Sequence, residues 1–132
     1  MITRLKAGEQ HQHKNGGGWV ANTATVEDSV YIGPDAQVYG NARVSGNARV
    51  SCNAQVYGDA WVYGNAQVYG DAQVLGNAQV FGDARVFGDA RVYGNAQVFG
   101  DARVYGNAQV LDDARMYGNA QVFGDAGNEK GF

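Results

Sequence analysis

The chain reads as a single all-β solenoid, and three observations lead there. A six-residue unit recurs without slip from Ala36 to Asp125, beginning AQVYGN, ARVSGN, ARVSCN, AQVYGD. Fixed short periods of this kind mark repeat architectures. Glycine makes up 20 of 132 residues although 45% of the chain is hydrophobic. That is well above the usual ~7% glycine, and with so much apolar content it fits a repeat array better than a disordered chain. Within each unit the four residues A-x-V-x alternate between apolar and mostly polar or aromatic, which is a strand signal.

The elements follow in order. Residues 1–18 (MITRLKAGEQHQHKNGGG) are polar and form an N-terminal cap or a flexible arm, with Gly16, Gly17 and Gly18 as the expected hinge. Residues 19–126 carry the solenoid. Its first three hexads, WVANTA, TVEDSV and YIGPDA, are degenerate but keep phase through Val20, Val26 and Ile32. The aliphatic position then recurs at Val38, Val44, Val50 and every sixth residue to Val122, once as Met116, for 18 hexads in all. Alanine and valine point one way; Gln or Arg and Tyr or Phe point the other. Gly followed by Asn or Asp breaks each strand, because both tolerate positive φ. A helix would lose about 1 kcal/mol at every sixth residue. An antiparallel meander rarely uses strands this short. Residues 127–132 form a short tail, in which Phe132 is placed to tuck over the last coil.

The units A-R-V-Y-G-N and their variants, from Val20 to Asp125, resemble the bacterial hexapeptide-repeat proteins, the left-handed parallel β-helices. The resemblance implies three hexads per coil of 18 residues, about six coils, and a left-handed turn. At about 4.8 Å per coil such a rod rises roughly 29 Å. One departure stands out. The residue after the aliphatic is usually small in that family, and eleven hexads here place Tyr or Phe there. An 18-residue coil would stack Tyr63, Phe81, Phe99 and Tyr117 in one column, and Tyr69, Phe87, Tyr105 and Phe123 in another. A third column, Tyr39, Tyr57, Leu75, Tyr93 and Leu111, is mixed.

Composition narrows the function. Ten basic against 13 acidic residues argue against nucleic acid or an anionic membrane as partner. No apolar run approaches 18 residues, so membrane insertion is not expected. No signal peptide is visible, which makes a cytoplasmic location the default, with a virion or cell-surface structure as the other setting. A single cysteine, Cys52, builds no disulfide framework and replaces a turn glycine; Asp112 does the same. His11 and His13, one residue apart, are the candidates for a metal, yet GEQHQHKN reads as a solvated polar tail. Stacked aspartates such as Asp71 with Asp89 read as turn residues rather than a calcium site. No cofactor is expected.

The resemblance also raises acyltransferase activity at a trimer interface. Enzymes of that kind place a histidine on a coil or loop, and no histidine follows Lys14 here. The reading is therefore a non-enzymatic structural or scaffold protein whose partner is itself. It would associate through the aromatic outer faces or through uncapped coil ends, the C-terminal end being the stickier. The alternatives are the interface enzyme and a glycan- or protein-binding module. Candidate contact residues are Tyr63, Phe81, Phe99, Tyr117, Tyr69, Phe87, Tyr105, Phe123 and Trp61.

Overall fold

The computed structural model describes residues 10–123; the tail at 127–132, with Phe132, lies outside them. The described chain is a parallel β-solenoid without helices. Strand β1 (Gln10–Gln12) is followed by β2 (Trp19–Ala21), β3 (Thr25–Val26) and β4 (Tyr31–Ile32). Strands β5 to β19 then recur every six residues, each two residues long, from Gln37–Val38 to Gln121–Val122.

The register shows what a six-residue period alone leaves open. Val38 pairs with Val56, Val68 with Val86 and Val80 with Val98, always in parallel and always 18 residues on. Three hexads therefore make one coil, and six coils stack into three sheets. One sheet contains β2, β5, β8, β11, β14 and β17; the second runs from β3 to β18 and the third from β4 to β19. Bonds between coils repeat as regularly as the sequence does. In one hexad Gln55 N donates to Ala72 O at 3.0 Å, Tyr57 N to Val74 O at 2.9 Å and Asp59 N to Gly76 O at 2.9 Å, while Ala60 N closes its own turn on Tyr57 O at 3.4 Å.

Alanine and valine fill the interior. From Val30 to Met116 these positions are at most 1% exposed wherever the repeat is regular. Small and aliphatic residues two apart fill this core, and Ile32 and Met116 are accommodated at the valine position fully buried. Asn/Gln and Tyr side chains then zip the coils together outside it. Asn53 Nδ2 donates to Asp71 Oδ1 at 3.2 Å and Asn65 Nδ2 to Asp83 Oδ1 at 3.3 Å. Tyr57 OH donates to Gln73 Oε1 at 3.2 Å and Tyr93 OH to Gln109 Oε1 at 3.1 Å.

Two expectations change at the turns and the N-terminus. Positive φ falls on the glycine position alone, not on the Asn or Asp after it. The non-glycine residues that adopt it are Cys52 (φ 58) and Asp112 (φ 57), both standing where glycine usually stands. The glycine run at 16–18 is no hinge. A Cβ on Gly16 would lie 2.2 Å from Ile32 O, and one on Gly18 would lie 2.2 Å from an Ile32 methyl. The segment packs against the first coil: β1 adds antiparallel to β2, with His11 opposite Val20.

Candidate functional site

The outward aromatic residues gather as the 18-residue coil requires. Tyr63, Phe81 and Phe99 stack with centroids 4.8 Å apart and planes within 2°, and Tyr117 closes the column at 5.6 Å. On the neighbouring sheet Tyr69, Phe87 and Tyr105 stack at 4.9 and 5.0 Å, with Phe123 at 5.4 Å. Tyr39 and Tyr57 stack at 4.6 Å on the first sheet. The rings repeat with the coil, so each lays its faces on the rings above and below and turns its edge to solvent. Offset stacking of this kind contributes ~0.5–1.5 kcal/mol per pair beyond area burial. Inner rings are half-buried for that reason. Among the described residues no ring follows the last ones, which are more open: Tyr117 is 51% and Phe123 62% exposed. Among the nine candidate residues the open apolar surface is therefore concentrated at the C-terminal coil and at Trp61, which is 38% exposed.

Stacking also affects titration. Burial, and secondly the neighbouring Tyr57, holds the Tyr39 phenol well above its ordinary value of 10.0. Burial raises Tyr63 as well. The fold favours the neutral phenol, so this contribution is intact below pH ~10 and is lost as pH rises through the folded-state value. Tyr39→Phe is accordingly expected to remove the latest-ionising phenol from an alkaline absorbance titration and to move alkaline unfolding to higher pH.

Trp61 occupies a different setting. It takes the place of Gln or Arg in the outward column of the second sheet, between Arg43 and Gln79. The Arg43 guanidinium lies 5.7 Å from its ring centroid, and Tyr63 abuts it at 4.9 Å with planes tilted by 46°. A polar groove runs beside it along the corner of the solenoid. Asn41, Asp59 and Asn77 form one wall and Thr25, Arg43 and Trp61 the other, enclosing about 510 Å³. Similar grooves follow the other corners. The larger, about 620 Å³, sets Asn65, Asp83 and Asp101 against Gln67, Arg85 and Arg103. The third, about 450 Å³, includes Asp71, Asp89 and Arg91. Of the three grooves, the one beside Trp61 has an aromatic ring in its lining.

His13 is not part of a solvated tail, whereas His11 is exposed. His13 is 5% exposed, and its Nε2 lies 2.7 Å from Val30 O, to which it donates. His11 Nδ1 meets Asn22 Oδ1 at 2.6 Å. The physical reason lies at the edge of the first coil. Carbonyls that elsewhere accept from a preceding coil have none there, and a buried unpaired carbonyl costs about 1–3 kcal/mol. His13 serves Val30, Gly18 N donates to Ile32 O at 2.9 Å and Ile32 N donates to Asn15 O at 3.0 Å. Lys14 pairs with Asp28 at 3.3 Å. Residues 10–18 thus cover the N-terminal edge of the first sheet and engage the third, leaving β3 at the edge of the second. No group of three or more His, Cys, Asp or Glu gathers among the described residues. Cys52 is exposed. No helix among the described residues is long and apolar enough to cross a membrane.

No curated protein and no solved structure matches the chain. The profile of the YdcK Beta solenoid repeat matches residues 36–52, 54–70, 78–94 and 96–112. The members of each pair start 18 residues apart, the same interval as the strand register. With more than half of its length in those four segments, the chain belongs to the YdcK beta-solenoid repeat family.

Proposed function

We propose that the protein is a non-enzymatic scaffold that associates with a second copy of itself through its C-terminal coil. The observation that carries this reading is the opening of the ring columns at one end, where Tyr117 and Phe123 expose their faces. Contiguous exposed apolar surface marks interfaces, and open strand edges pair with others. Lateral packing of the columns is less favoured, because stacking has already consumed the inner ring faces. Head-to-tail growth meets the hairpin at residues 10–18. Association then stops at two copies, tail to tail. The non-enzymatic part of the reading rests on the uniformity of the array and on the structural bonds that occupy His11 and His13.

Light scattering on a size column tests this across a dilution series. The wild type is expected to shift between monomer and dimer. The double variant Tyr117→Ser, Phe123→Ser is expected to stay monomeric. Serine already stands at the equivalent outward places, Ser45 and Ser51, so the variant keeps the fold. A dimer that survives both changes, or a wild type that is monomeric throughout, would overturn the reading.

A further inference from the structure

We infer that the corner groove beside Trp61 binds an uncharged oligosaccharide. The array itself does not require a tryptophan there. The core at that point is made by Ala60 and Val62, both fully buried, and the cross-strand neighbour on the next coil is Gln79. Gln or Arg fills this outward place throughout the regular hexads, whereas Trp61 puts a large ring into a groove otherwise lined by amides, hydroxyls and one pair of opposite charges.

The chemistry of the walls selects the ligand class. Arg43 and Asp59 cancel, so neither a polyanion nor a polycation is favoured by charge. Asn41 and Asp59 lie in a column whose relatives are hydrogen-bonded from coil to coil: Asn53 to Asp71, Asn65 to Asp83 and Asn77 to Asn95. Among the described residues the side chains of Asn41 and Asp59 make no such bond. An amide and a carboxylate free beside an aromatic ring suit a pyranose: its C–H face packs on the indole while neighbouring hydroxyls take the carboxylate, the amide and the guanidinium. The groove extends over four coils, from Thr23 to Asn77. Its polar groups repeat at the strand spacing of about 4.8 Å, which matches a chain of sugar units running along the solenoid axis better than a single sugar.

The test uses the full chain and a panel of uncharged hexasaccharides: β-1,4-, β-1,3- and α-1,4-linked glucose and β-1,4-linked mannose. Calorimetry gives affinity, and tryptophan emission reports on the ring, with Trp19 as internal reference in the variant. At least one member is expected to bind. Trp61→Gln restores the residue of the neighbouring hexads, so it is expected to fold as the wild type does, keep its dimerisation, and bind about tenfold more weakly or not at all. Asp59→Asn, which also conforms to the repeat, is expected to weaken binding with the fold intact. Binding that is unchanged in Trp61→Gln, no binding by any member of the panel, or tighter binding of dextran sulfate than of the uncharged sugars would each overturn the proposal. Because Trp61 lies away from the last coil, loss of sugar binding and loss of dimerisation are separate results.

Discussion

Gly70→Ala is expected to destabilise the solenoid by about 2–5 kcal/mol, and Gly118→Ala by only about 1–2 kcal/mol. Both glycines sit in the left-handed region, at φ +69 and φ +63, where an L side chain costs about 1–2 kcal/mol. They differ in what lies above. A Cβ on Gly70 would come within 2.8 Å of Gly88 N and 3.1 Å of Gly88 O, which are backbone atoms of the next coil. These atoms are held by the bond from Asp71 N to Gly88 O at 2.8 Å and cannot yield without opening the ladder. Overpacking of that sort adds about 1–3 kcal/mol. At Gly118 nothing lies within 4 Å, so the conformational cost stands alone. Denaturant melts of the two variants beside the wild type measure the difference. Equal losses would mean that the glycine column serves turn conformation only and not the close approach of coils.

Deleting residues 1–18 is expected to convert a particle limited to two copies into rods that lengthen with concentration. The deletion removes β1 from the edge of β2, the His13 donor from Val30 O, and the two backbone bonds that Asn15 and Gly18 make to Ile32. With β3 already at the edge of its sheet, all three sheets then present unpaired edges, open to the last coil of another copy. Stacking in that direction repeats without closure, which is the condition for a filament. Electron microscopy of concentrated and diluted fractions distinguishes the outcomes. Particles of fixed length from the deleted chain would show that the hairpin is not what limits growth.

The architecture was legible in the sequence because its determinants are local and periodic. Alternation of Ala and Val against polar or aromatic residues specifies which side chains enter the core, and Gly-Asx specifies the turn. The columns of Tyr63 and Tyr69 followed once three hexads were assigned to a coil, an assignment that came from the family resemblance and that the strand register now shows. The ends were not legible, because no periodic rule reaches them. His13 looks like part of a polar tail until the first coil is seen to leave Val30 O without a donor. Gly16 and Gly18 look like a hinge until their contact with Ile32 is known. The outward aromatic columns looked like adhesive faces. Their parallel stacking lays the inner rings on one another and leaves Tyr117 and Phe123 the most exposed of the column rings. The signal for the groove was present as a lone break in the pattern, Trp61 among Gln and Arg with Asp59 two residues before it, but Asn41 belongs to the preceding coil and required the fold.

The central claim is that association occurs at the end of the solenoid and not along its faces. Small-angle X-ray scattering of the isolated dimer tests it most directly, since six coils at about 4.8 Å rise only roughly 29 Å. End-to-end association predicts a maximum dimension close to twice that of the monomer with an unchanged cross-section. A dimer of monomer length and doubled cross-section would contradict it and return the interface to the aromatic faces.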